Sequence, residues 1–280
     1  MNILISGAST GVGHGTAVHI AGRGHEVWAG VRSQKSHDEL ERLNIPRLHP
    51  VFLDVTDTRS IAGAVSEVKK QGGVLHALIN NAGVATGGPI EGLSMAEWRR
   101  QFDINFFGPV ELTKACLVLL RESKGRIVNM SSVGGRISGP YLGPYTASKF
   151  ALEAFSDTLR REVGKFGVKV AVIEPGPIQT PIWEKAAVQA EQRRAELSED
   201  MRSVYGRSIE TFLKSLEQSQ KTAAPVADVV KAVEHALTAR EPRARYPVGH
   251  GILTLTKLSN VLPDSWMDQL IRMREWPRLS

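Results

Sequence analysis

A phenol and an ammonium stand four positions apart at Tyr145 and Lys149, in a segment opened by Pro144. On a helix that spacing puts both side chains on one face, where they can act together. A free phenol titrates near 10, too high for efficient acid–base work at neutrality, and a nearby ammonium lowers it. The pair is therefore a candidate for moving a proton on and off an oxygen. A second candidate is the run Ser6-Gly7-Ala8-Ser9-Thr10-Gly11-Val12-Gly13, which follows a strand-like segment and precedes Ala17, Val18, Ile20 and Ala21 at helical spacing. Glycines at 7, 11 and 13 allow a tight turn and let backbone N–H groups at a helix N-terminus approach a pyrophosphate closely. The single cysteine, Cys116, lies in the apolar run Leu112 to Leu120 and reads as core packing. None of the eight histidines, including His14, His19 and His25 near the glycine run, has a metal-ligand pattern, and no metal is expected.

Elements that could position these residues are legible as alternating periods. Strands are expected at Asn2–Ser6, Glu26–Val31, Leu48–Leu53, Ala77–Asn80, Arg126–Met130 and Lys169–Glu174, with a further short one near Arg245–Val248. Ile61, Val65 and Val68 recur at helical spacing behind a cap at Thr56 or Asp57, and Gly72-Gly73 stops that helix. Leu152, Phe155, Leu159 and Val163 mark another, ended by Gly164 and Gly167. Strands alternating with crossover helices imply a parallel sheet covered on both faces, an α/β fold. After Pro181 the texture changes: 182–224 is long, polar and helix-favouring, and reads as a helical lid inserted over the functional edge of the sheet. Pro225 then opens a helix with Val226, Val229, Val230, Val233 and Leu237 on one face, and a last helix is expected from about Asp264 to Arg274. No linker separates two domains, so residues 1–280 are expected to form one.

The glycine spacing G-x-x-x-G-x-G resembles that of the short-chain dehydrogenase/reductase family, and five further motifs match in order. Leu53-Asp54-Val55 looks like the family's adenine contact, and Asn80-Asn81-Ala82-Gly83 matches its Asn-Asn-Ala-Gly. Asn105 sits where the family has a helix-bending asparagine that holds a proton-relay water. Ser132 precedes Tyr145 by 13 residues, the family offset, which favours it over Ser131; Tyr145 to Lys149 is the family's Tyr-x-x-x-Lys. Pro175-Gly176-Pro177-Ile178-Gln179-Thr180 resembles the loop on the nicotinamide side. The resemblance spans about residues 1–181. It implies a doubly wound, Rossmann-type sheet of seven parallel strands and a catalytic set of Asn105, Ser132, Tyr145 and Lys149. It also implies a cofactor site on Gly7, Ser9, Thr10, Gly11, Val12, Gly13, Arg32, Ser33, Asp54, Val55, Asn81, Ala82, Gly83, Tyr145, Lys149, Pro175, Gly176, Ile178 and Thr180. Hydride transfer would interconvert an alcohol and a carbonyl, with Ser132 donating to the substrate oxygen and Lys149 holding ribose hydroxyls. Homodimers or homotetramers are the family habit.

The second strand ends Val31-Arg32-Ser33, without the carboxylate that NAD-specific relatives use on the ribose hydroxyls. NADP(H) is the expected cofactor, with NAD(H) as the alternative. The substrate is expected to be lipophilic, of steroid, retinoid or fatty type. Ile209, Phe212, Leu213 and Leu216 make an apolar face in the lid, and Tyr141 and Leu142 lie between Ser132 and Tyr145. A net charge of +6 is spread among acidic residues without aromatic interleaving, which argues against nucleic acid. No run reaches the ~18 apolar residues of a membrane span. A first strand at Asn2 leaves no expected signal peptide, and the expected address is the cytoplasm. Trp266, Met267, Leu270 and Ile271 beside Arg272, Arg274 and Arg278 allow peripheral membrane contact, with packing on the body or a partner subunit as the competing reading. The rival functions are a non-catalytic NADP(H)-binding sensor or scaffold on the same fold and a sugar-nucleotide epimerase.

Overall fold

The structure, a computed structural model, describes residues 1–259 and 261–275. Seven short apolar runs form β1 (Asn2–Ile5), β2 (Glu26–Val31), β3 (Leu48–Phe52), β4 (Ala77–Asn80), β5 (Arg126–Met130), β6 (Lys169–Pro175) and β7 (Arg245–Val248). They make one sheet in the order β3-β2-β1-β4-β5-β6-β7, and every neighbouring pair is parallel. Parallel strands need crossovers, and the crossovers cover both faces.

Alternate residues of β1 show the division. Ile3 and Ile5 pack with Val27, Ala29 and Val31 beneath α1 (Gly11–Gly22), α2 (Gln34–Glu41) and, later in the chain, the helix Val226–Thr238. Leu4 faces the other way, with Trp28, Leu78 and Ile127, beneath α3 (Thr58–Gly72) and two helices that follow β4 and β5. Asp57, not Thr56, caps α3 by accepting from Arg59 N at 2.9 Å, and Gly73 ends it at φ +70°. α4 (Met95–Phe102) opens on a capping box of Ser94 and Glu97 and passes through a π-helical turn, Asp103–Phe107, into α5 (Gly108–Glu122). Cys116 on α5 is fully buried, and burial pushes its thiol up to about 12, as an inert core residue requires.

α6 (Gly143–Val163) carries the Tyr145–Lys149 pair. The 182–224 segment folds as α7 (Pro181–Glu196) and α8 (Glu199–Lys221), joined at Ser198, whose hydroxyl accepts from Met201 N. The base of this pair is stitched: Ala224 N donates to Pro177 O at 3.0 Å and Gln179 N to Ala224 O at 3.1 Å. Its far end rests on the body through Phe212, whose ring lies 5.5 Å from that of Tyr141, and through Tyr205 Oη, which donates to Glu91 at 2.8 Å. α9 (Val226–Thr238), α10 (Ile252–Leu258) and α11 (Asp264–Glu275) complete the chain. On α11 Met267 is buried and Trp266 is 60% exposed; the Arg274 side chain and Arg278 lie outside the described residues. Among the described residues no helix is long and apolar enough to cross a membrane.

Candidate active site

The sheet order reverses direction between β1 and β4, and the chain leaves both strands toward the same crevice, the usual ligand position in open α/β sheets. Gly7 turns out of β1 at φ +69°, and a Cβ there would fall 2.7 Å from Ala82 Cα. Asn81 closes the gap by donating from Nδ2 to Ser6 O at 3.0 Å and Gly7 O at 2.9 Å. Gly13 is tighter still, since its Cβ would meet Gly7 O at 2.2 Å. These contacts are with backbone or with a hydrogen-bonded side chain, so a larger residue has nowhere to go. The cleft beside them, about 330 Å³, is lined by Gly7 and by Ser9 to Gly13 of the glycine loop.

Residues from the ends of six strands, β1 to β6, reach the same cleft. Arg32 follows β2, Asp54 and Val55 follow β3, and Asn81, Ala82 and Gly83 follow β4. Ser132, Tyr145 and Lys149 form one wall, and Pro175, Gly176, Ile178 and Thr180 another. Burial alone would raise Asp54, but hydrogen bonds from Thr56 N and Oγ1 and the charge of Arg32 hold it below the usual range. Ser33 does not line the cleft. Its hydroxyl caps α2, accepting from Ser36 N at 3.2 Å and donating to Ser36 Oγ at 3.0 Å.

The three polar groups at the centre are held differently. Ser132 Oγ accepts from Gly134 N at 3.0 Å and reaches Pro175 O at 3.3 Å, and a side-chain hydrogen bond joins it to Tyr145. Lys149 Nζ donates to Met130 O at 2.8 Å and lies 5.9 Å from the centre of the Tyr145 ring. Tyr145 and Lys149 are each 5% exposed. Burial raises the phenol above 10, only partly offset by Ser132. The same burial pulls the Lys149 ammonium down to about 8 against the opposing charge of Glu153. The expected depression of Tyr145 by Lys149 is not seen: desolvation dominates, and Ser132 is the group that opposes it.

Asn105 is fully buried in the π turn, outside the cleft lining. Its Oδ1 accepts from Val84 N at 2.9 Å, and its Nδ2 donates to Val84 O at 3.0 Å and to Ser148 Oγ at 3.3 Å. Of the residues expected to meet substrate, Leu142 packs beside Tyr145 and Ala186 and Tyr141 pairs with Phe212, but none of the three lines the cleft. Lining residues that the sequence did not single out include Val84 and Ala85 after the Asn-Asn-Ala-Gly turn, Arg100 on α4, Ile104 before Asn105, and Trp183 on α7, whose ring stands edge-on to Tyr145 at 5.5 Å.

The crevice fits a dinucleotide on its own geometry. α1 begins at the glycine loop with no side-chain cap on its first N–H groups and no acidic residue in its first turn, which leaves an anion-binding end.

Comparison with known proteins agrees. The family model described as short chain dehydrogenase matches residues 1–191. The chain is 37% identical over 276 residues to retinol dehydrogenase 16 of Mus musculus, covering 96% of this chain and 87% of that protein. It is 34% identical over 274 residues to the NADPH-dependent 3-dehydrocapnine reductase of Ornithobacterium rhinotracheale, covering 95% and 94%. Among solved structures, a short-chain dehydrogenase from Streptomyces avermitilis superposes with a TM-score of 0.77 at 27% identity, over 96% of this chain and 94% of that one. With its glycine loop, Asn-Asn-Ala-Gly turn and Tyr-x-x-x-Lys helix meeting in one crevice, the chain belongs to the short-chain dehydrogenase/reductase family, in its retinol-dehydrogenase-like group.

Proposed function

We propose that this oxidoreductase is NADP(H)-dependent and interconverts a lipophilic secondary alcohol and its ketone, or a primary alcohol and its aldehyde. The observation that carries the reading is the convergence of Ser132, Tyr145 and Lys149, all nearly buried, on one cleft with the glycine loop. When bound, the nicotinamide supplies the hydride for reduction or takes it up in oxidation. Tyr145 gives its proton to the substrate oxygen in reduction and removes it in oxidation. Ser132 donates a hydrogen bond to that oxygen, where charge collects. Lys149 would hold the ribose hydroxyls of the bound cofactor and, as a cation, would favour the phenolate. Asn105, in the π turn behind the cleft, would hold a water that relays the proton onward.

The cofactor preference is supported by Arg32 at the crevice rim and by the absence of a carboxylate at Val31-Arg32-Ser33. A guanidinium there suits a 2′-phosphate. One relative described as NADPH-dependent points the same way. The substrate class is supported by the apolar surroundings of the phenol: Ala85, Ala186, Leu142, Ile182 and Trp183 form one cluster with Tyr145. A homodimer or homotetramer would cover Phe107, Val118 and Phe150, which are 55%, 54% and 42% exposed.

The test is NADPH consumption against ketones and aldehydes graded by size and lipophilicity, with Tyr145→Phe as control. Turnover by the variant should fall ~10²–10⁴-fold, with cofactor affinity nearly unchanged. Undiminished turnover would remove Tyr145 from the chemistry.

A further inference from the structure

Beneath Lys149 lies a set of charges to which the chemistry above gives no role. Glu153 follows Lys149 by one turn of α6 and is 6% exposed. Arg245 on β7 reaches it, Nε to Oε2, at 3.1 Å. The same Nε lies 3.2 Å from Glu174 Oε1 on β6, and the arginine's second terminal nitrogen is 3.1 Å from Asp157 Oδ2, one turn further along α6. Arg136, after β5, stands 3.6 Å from Glu174 Oε1. Packing around the cluster is close: a Cβ on Gly135 would fall 2.7 Å from Ser131 Oγ, 3.0 Å from Glu153 Cγ and 3.1 Å from Lys149 O.

Stability alone gives a poor reason for such an arrangement. Two nearly buried carboxylates side by side lose hydration and repel each other, and well-packed apolar residues often do as well or better. Glu153 Oε1 is buried without a hydrogen-bond partner, so the cluster is not even fully satisfied. Opposite charges nevertheless interleave: Glu153 and Glu174 share Arg245, and Asp157 is met by Arg245, Arg160 and Arg161. Arg245 also pins the catalytic helix to the two last strands of the sheet.

We propose that Glu153, one turn from Lys149 on the same buried face of α6, held by Arg245 and backed by Glu174, is a positioning residue for Lys149: its carboxylate is the buried counter-charge that keeps the lysine cationic while Met130 O holds the ammonium. This rests on the role given to Lys149 above. The direction of the Lys149 titration agrees, because Glu153 pushes the ammonium up against the burial that pulls it down to about 8. The other titratable or charged groups around the pair are Tyr145 and Asp157 on α6, Glu174 on β6, Arg136 after β5 and Arg245 on β7.

The test follows the Lys149 ε-carbon by NMR in protein carrying ¹³C-labelled lysine, the signal being assigned by its loss in Lys149→Arg. Titration of the wild type, Glu153→Gln and Glu153→Asp is compared, with thermal unfolding to show that each is folded. In Glu153→Gln the Lys149 midpoint should move about one pH unit lower, and Glu153→Asp, which keeps the charge, should largely restore it. An unmoved midpoint in Glu153→Gln, or an equal fall in Glu153→Asp, overturns the proposal. If Glu153→Gln does not fold, Glu174→Gln is read the same way: a lower midpoint supports the role of the cluster and an unchanged one refutes it. The titration needs no turnover. Full activity in Tyr145→Phe would sink the functional reading and leave this result standing.

Discussion

Glu174 is 2% exposed, and its carboxyl is pushed up to about 7, first by burial and then by Glu153, against the pull of Arg136 and Arg245. A carboxyl raised in the folded state favours folding while it is protonated. That contribution is complete below about 4.5, its ordinary value, and is lost as pH rises through about 7. Glu174→Gln removes the titration. Urea unfolding at a series of pH values should therefore show the wild type losing about 1–3 kcal/mol relative to the variant between pH 4.5 and 7.5; parallel curves would contradict the assignment. Tyr145 and Lys149 were legible in the sequence because one helical turn joins them. Glu153 and Arg245 were not, since 92 residues separate two groups that meet only when β7 lies down beside β6. Trp183 escaped for the same reason: its contact with Tyr145 exists only once the lid folds back.

At the level of elements, the end of β2 is the place where cofactor choice is tested. Arg32→Ala should weaken NADPH about 10–100-fold, the scale of lost charge-assisted hydrogen bonds, and leave NADH unchanged. Calorimetric titration of both cofactors measures this, and equal NADPH affinity in the variant would exclude Arg32. Ser33, expected from the sequence to belong to the cofactor site, has its hydroxyl engaged as the cap of α2. A serine before a helix is ambiguous in sequence, because capping and ligand binding ask for the same hydroxyl. The strands were recovered to within a residue or so at each end, their apolar runs being long enough to specify burial on both faces. α4 was harder: its eight residues carry little periodicity, although Ser94 and Glu97 spell a capping box. The apolar face expected on the lid is present in α8, where Ile209 and Phe212 are buried. Phe212→Ala should flatten the rise of kcat/KM along a series of lengthening hydrophobic ketones. A slope equal to that of the wild type would make Phe212 a packing residue only.

For the whole molecule, strand order was available only through resemblance: a list of strands does not say which are neighbours, and β4 lies beside β1 because two crossovers of the same hand run in opposite directions from it. The lid is another matter of connectivity. Because Ile178 and Ala224 pair at its base, the chain enters and leaves α7–α8 at almost the same point. A detour whose ends already touch is a removable module, since closing it with a short turn costs the body little. Residues 181–221 replaced by a short Gly-Ser bridge should give a protein that unfolds in one transition and still binds the dinucleotide, but no longer discriminates among carbonyl compounds by size. Calorimetry and dinucleotide titration would show it, and loss of cooperative unfolding would mean that the lid is part of the core. That outcome would make specificity a property of the detour, exchangeable by trading it, with α7 answering for the packing it now supplies to Tyr145.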